Sequence, residues 1–176
     1  MRLLIISLLF VLFSTATIVE ASANASLLDP PHKEQPQPRQ KSKYPTVFLI
    51  DDNSSNAFED LTMQYETNLI QAFSNDMDKA YLQWMDMMCE MENFAERKRL
   101  DINGVKIWMK VFWSASGEIE HIAYHLKPNS KNISTELLTR FFRDFSKLHE
   151  FEVKAEKVFS HYTSVSFPNY FCKSKE

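Results

Sequence analysis

Cationic and aromatic residues alternate along residues 105–113. One set of alternate positions is apolar throughout, and the other set is Lys106, Trp108, Lys110 and Phe112. A period of two indicates a strand, whose successive side chains point to opposite faces of a sheet. We predict that the mixed set faces outward, where it can stack on bases or sugars or receive a protein. The alternative is that the N-terminal segment, residues 46–50 included, folds over this face and buries the rings.

Histidines are the second group of residues with possible chemistry, and His121, His125 and His161 fall on predicted strands. Residues four apart on a strand stand about 13 Å apart, too far to share one zinc ion. His125 and His161 could meet if their strands pair in a suitable register, but no third ligand is clearly placed. We therefore expect no metal and no cofactor. A small envelope hydrolase that uses His125 or His161 with a carboxylate stands as an alternative function.

Several enzyme classes are excluded by what the sequence lacks. The chain has two glycines, Gly104 and Gly117, so the glycine-rich phosphate loops of P-loop and dinucleotide-binding folds are absent. Neither G-x-S-x-G nor H-E-x-x-H occurs. We predict a protein that is not an enzyme.

Two cysteines, Cys89 and Cys172, are present. In an oxidising compartment they can form a disulfide. Cys89 lies within an apolar helical pattern and is a poor site for a reactive thiolate. Cys172 lies in a polar tail, so two unpaired thiols, a buried Cys89 and an incidental Cys172, are as consistent with the sequence as a disulfide.

The N-terminus has the three parts of a signal peptide. Arg2 precedes an apolar run, and a small-residue stretch ends at Ala21-Ser22-Ala23. We predict cleavage after Ala23 and a periplasmic or secreted protein. Residues 3–19 are also long enough for an uncleaved anchor, which would place the protein at a membrane.

Residues 24–45 are rich in Pro, Gln and Lys and predict a disordered linker with a reach of about 60 Å. The formal net charge of −3 argues against nucleic acid as a partner. We expect a protein partner.

The rest of the chain predicts one α+β domain over residues 46–170, followed by a tail at 171–176. Apolar spacing predicts helices at 57–73, 77–98 and 135–148 and strands at 46–50, 105–113, 118–126 and 158–167. In the strand predicted at 118–126, the apolar residues change from odd to even positions between Ile119 and Ile122, which predicts a β-bulge at Glu120-His121. The expected fold is a two-layer, three-stranded antiparallel sheet with helices on one face, plus an N-terminal extra strand and helix.

Three segments carry a family resemblance: INGVKI at residues 102–107, VFWSASGEI at 111–119 and YTSVSF at 162–167. With the helices around them, they resemble the C-terminal domain of TonB, the periplasmic energy transducer of Gram-negative bacteria, over about residues 79–167. That domain is not an enzyme. It captures an extended segment of an outer-membrane receptor beside its last strand.

The resemblance implies a docking edge formed by the last strand. The residues implied are Phe159, His161, Thr163, Val165 and Phe167. A transducer needs an uncleaved anchor and a linker that crosses the periplasm. We therefore expect an exported binding module, with a membrane-tethered transducer as the alternative.

Overall fold

A five-stranded mixed sheet lies at the centre of the computed structural model, which describes residues 42–51 and 53–173. The elements in chain order are β1 (Val47–Leu49), α1 (Ser55–Gln64), β2 (Thr67–Asn68), α2 (Leu69–Ala72), α3 (Met77–Arg97), β3 (Lys106–Trp113), β4 (Ile119–Leu126), α4 (Thr135–Phe145), β5 (Phe159–Ser166) and α5 (Tyr170–Lys173). The signal peptide predicted at residues 1–23 and the linker up to residue 41 lie outside the described residues. None of the helices in the described ranges is long and apolar enough to cross a membrane.

The strand order is β1-β4-β3-β5-β2. The central strand β3 is antiparallel to both β4 and β5, while β1 pairs parallel to β4 and β2 pairs parallel to β5. The α+β class is therefore confirmed. The predicted three-stranded antiparallel sheet is the middle of a larger mixed sheet, because two short strands of three and two residues extend its edges.

The β-bulge predicted at Glu120-His121 is confirmed. Phe112 of β3 pairs with His121, whereas the next residue, Trp113, pairs with Ile119. Glu120 is therefore the extra residue of β4. The bulge returns Ile119 to the same face as Ile122, and both side chains are buried there.

The single helix predicted at residues 57–73 is wrong. Helix α1 ends at Gln64, and Asn68 then begins α2 with a capping box, in which its side chain accepts from the Gln71 backbone and the Gln71 side chain accepts from the Asn68 backbone. Asn is favoured at such caps because its side chain bonds the first backbone amides of a helix. The two residues Thr67 and Asn68 between the helices form β2.

Helices cover both faces of the sheet, which corrects the prediction that they pack on one face. Helices α3 and α4 cover the face that carries Ile107, Met109 and Val111. On the other face, Leu61 of α1 and Tyr65 pack against Phe112, Ala123 and Phe48. The chain changes faces at β2, because Leu69 and Phe73 belong to the α3 side. We call the two sides the α3 face and the α1 face.

Both ends of the predicted domain extend further than expected. Ser42 was assigned to the linker, but its Oγ lies 3.1 Å from Nε2 of His121. Tyr44, in the same predicted linker, donates its hydroxyl to Asp60 on α1. At the other end, Phe171 and Cys172, assigned to the tail, belong to α5.

Candidate partner-binding edge and aromatic face

The outer edge of β5 is the candidate site. The Lys127 amide donates to the Lys106 carbonyl at 2.9 Å, so the backbone groups of Lys106 point toward β4. Backbone groups alternate in direction along a strand, so Ile107 and every second residue after it point toward β5. The register partners of those residues are Phe159, His161, Thr163 and Val165. These four therefore direct their N–H and C=O groups inward, toward β3.

The remaining residues of β5 direct their backbone groups away from β3. Ser160 pairs with Asn68 of β2, so this position is occupied. Tyr162, Ser164 and Ser166 have no strand beside them among residues 42–51 and 53–173. An open row of backbone donors and acceptors about 13 Å long is the feature that a further strand can join. We call these three residues the open edge of β5.

The docking residues predicted from the resemblance lie beside this edge and differ from those that form it. Phe159, Val165 and Phe167 are buried, while His161 and Thr163 are half-buried. Their side chains share the α3 face with the β3 residues opposite them. The residues implied by the resemblance are thus those whose backbone groups face β3, and docking at this strand stays a prediction. Phe159 is also excluded from docking because Thr67 of β2 pairs with it.

The α3 side of the open edge is lined by aromatic rings. The His161 ring lies 4.6 Å from Trp84 of α3, and Tyr81 of α3 lies 6.4 Å from Phe171 of α5. Tyr81 and Tyr170 are exposed. A strand added at the open edge would place every second side chain toward these rings.

A disulfide between Cys89 and Cys172 attaches α5 to α3, with a Cα–Cα distance of 5.3 Å. Of the two alternatives left open by the sequence, the structure contains the paired one. Asn169, just before α5, also donates its backbone amide to Glu92 of α3. The disulfide therefore fixes the helix that carries Phe171 and Tyr170.

Half of the predicted outward face of β3 is covered. Lys110 and Phe112 are buried, and the Phe112 ring lies 5.1 Å from Tyr65, just after α1. The face is covered at these two residues, but by α1 and Tyr65; residues 47–49, which the alternative placed over this face, join the sheet as β1 beside β4. Lys106 is half-buried, and Trp108 is 37% exposed.

The buried ammonium of Lys110 is held without a carboxylate among the residues that the structure describes. Its Nζ donates to the Thr62 hydroxyl at 3.0 Å and lies 5.5 Å and 5.4 Å from the ring centroids of Phe58 and Phe112. Burial lowers the pKa of Lys110. The two rings and the hydroxyl partly replace the lost water.

The uncovered half of the α1 face is next to the open edge. Trp108 stacks on Tyr162 at 5.8 Å, and Tyr162 contacts Phe58 of α1 edge-on. Tyr162 is 48% exposed. Tyr162 belongs to the alternate set of β5 that the resemblance did not imply, and only the register of β5 with β3 brings it next to Trp108.

His125 and His161, which could have met if their strands paired suitably, lie on opposite faces of the sheet. His125 pairs with Trp108 and lies on the α1 face, whereas His161 pairs with Val111 and lies on the α3 face. His121 is buried, and its Nδ1 lies 2.8 Å from the Pro45 carbonyl. No group of three His, Cys, Asp or Glu side chains in the described ranges is placed to hold a metal ion.

One histidine and carboxylate pair that the sequence did not reveal joins α3 to the segment after α4. His149 Nδ1 lies 2.6 Å from Glu90 Oε2, and the His149 ring stacks on Phe145. The Nε2 atom of His149 is buried and has no hydrogen-bond partner among the described residues. The pair therefore links the segment after α4 to α3 through a buried imidazole and an exposed carboxylate.

Protonation of His161 is expected to destabilise the fold. Burial lowers the pKa of His161 below its ordinary value of 6.5. The unfolded chain then takes up a proton at a higher pH than the folded chain does. The contribution of His161 to the free energy of unfolding is therefore fully present above about pH 6.5 and is lost as the pH falls below it. When the pH is lowered from about 7 to about 5.5, the free energy of unfolding measured in urea should fall less for His161→Gln than for the wild type. Equal losses in the two proteins would contradict this assignment.

Comparison with known proteins gives no relative. The chain matches no family model, no curated protein and no solved structure. The TonB-like interpretation therefore stays a prediction.

Proposed function

We propose that this protein is an exported, non-catalytic binding module that docks an extended segment of a partner protein beside β5, in the manner of the TonB C-terminal domain. The observation that carries the proposal is the open edge at Tyr162, Ser164 and Ser166. Strand addition uses backbone hydrogen bonds for affinity and pockets for alternate side chains for selectivity. Aromatic residues contact both faces of β5: Trp108 stacks on the exposed Tyr162 on the α1 face, and Trp84 contacts His161 on the α3 face.

The central strands support the TonB-like part of the proposal. Strands β4, β3 and β5 form an antiparallel unit. In the chain, α3 precedes β3, and α4 lies between β4 and β5. The predicted signal peptide at residues 1–23 supports export. The disulfide also supports export, because disulfides form and persist in oxidising compartments. The receptor segment of the TonB system is one kind of partner that fits.

Selection from a displayed library of short linear peptides tests the proposal. The folded wild-type protein is the bait, and Ser164→Pro is the matched negative bait, since proline removes an outward amide at the centre of the open edge. We expect the wild type to enrich peptides whose apolar residues recur with a period of two. If the two baits enrich the same sequences, or neither enriches any, docking at β5 is wrong.

A further inference from the structure

The side chain of Lys127 crosses the central strand and ends at the open edge. Lys127 follows β4, its Nζ lies 4.4 Å from the ring centroid of Trp108 on β3, and the same Nζ donates to the hydroxyl of Ser164 on β5. The cation–π contact and the hydrogen bond together hold the ammonium beside Ser164. The backbone of Ser164 is the middle of the open edge. A positive charge is therefore fixed next to the position where a partner strand would pair.

A second cation lies beside the same edge. Lys106 pairs with Ser166, so its side chain is on the α1 face next to the last residue of β5. None of the ion pairs found in the described ranges includes Lys106 or Lys127. The whole chain is acidic, with a net charge of −3. A local cluster of uncompensated lysines on an acidic protein is complementary to a negatively charged partner.

Strand addition places one side chain of the partner next to Lys127. The residue opposite Ser164 would have its Cβ about 5 Å from that of Ser164, on the α1 face. An Asp or Glu at that position reaches the ammonium that Ser164 already contacts. The residue two positions along, opposite Tyr162, meets the exposed Tyr162 ring and favours an apolar or aromatic side chain.

From these contacts we infer that the segment docked beside β5 carries an acidic residue opposite Ser164, and that Lys127 selects it. The inference rests on the proposed function and adds the chemical class of the partner. Lys127→Met keeps an aliphatic side chain over Trp108 while it removes the charge. Lys154→Met is the matched control, since Lys154 is exposed and its neighbour Ala155 bonds to Ala115 of the β3–β4 turn, away from the open edge.

The experiment is the same displayed-peptide selection, with wild type, Lys127→Met and Lys154→Met as baits. We expect wild type and Lys154→Met to enrich peptides with an acidic residue two positions from an apolar one, and Lys127→Met to keep the period of two without the acid. A peptide selected on the wild type should bind Lys127→Met about threefold to fivefold more weakly. This difference should shrink in high salt, which screens exposed charges.

The possible failures are distinguishable. If peptides selected on the wild type lack acidic residues, or if Lys127→Met and Lys154→Met bind a selected peptide equally, the acidic selectivity is overturned while strand docking stands. If the wild type enriches nothing beyond what Ser164→Pro enriches, the proposed function is overturned and this inference with it.

Discussion

Ser164→Pro is expected to weaken binding of a selected peptide at least tenfold while the protein stays folded. The Ser164 amide points away from β3, so its loss breaks no bond of the β3–β5 ladder. A docked strand would lose one hydrogen bond, leave a carbonyl unpaired and meet the proline ring. An unpaired buried acceptor costs about 1–3 kcal/mol, which corresponds to at least tenfold in affinity when the clash is added.

Two matched variants isolate the backbone effect. Ser164→Ala removes the hydroxyl that contacts Lys127 and keeps the amide, so it should retain most of the affinity. Thr163→Pro removes an amide that faces Met109 of β3 and should destabilise the sheet. Isothermal titration with urea unfolding of each variant separates binding from stability. If Ser164→Pro binds as tightly as Ser164→Ala, the partner does not pair with β5.

Removing the disulfide should give the largest change in stability. Cys89 and Cys172 are separated by 83 residues, and the chain-entropy relation for a loop of this length gives about 4.5 kcal/mol. We expect the Cys89→Ala/Cys172→Ala variant to unfold at lower urea, with a free energy of unfolding lower by about 3–5 kcal/mol. The slope of the transition should rise, because the unfolded chain without its cross-link exposes more surface.

Reduced wild-type protein is the natural control for this variant. Reduction and double substitution should lower the transition midpoint by similar amounts. An unchanged midpoint after both treatments would contradict a stabilising role for the cross-link.

Long periodic elements could be predicted from the sequence, and short ones could not. Helix α3 and the β3–β4 hairpin follow from apolar spacing over many residues, and the parity change in β4 was enough to locate the bulge. Strand β2 has two residues and no period of its own. The spacing of Tyr65, Leu69 and Phe73 fits one helix, yet Tyr65 packs on the α1 face and the other two on the α3 face.

The sequence places β5 in the chain, but it does not show which residues of β5 form the open edge. Which alternate residues of β5 present their backbones outward depends on the register of β5 with β3 and on which β3 residues direct their backbone groups toward β5. No local pattern in residues 158–167 contains this information. The burial of Lys110 also depends on tertiary structure, since α1 covers it from another part of the chain.

Amide hydrogen exchange of the wild-type protein with a selected peptide tests strand docking most directly. The amides of Tyr162, Ser164 and Ser166 point outward and should exchange quickly in the free protein and more slowly in the complex. The Thr163 amide points toward β3 and should be protected in both states. Protection of the three outward amides on binding is the result that we predict. Binding that protects other residues and leaves these three unchanged would contradict docking at β5.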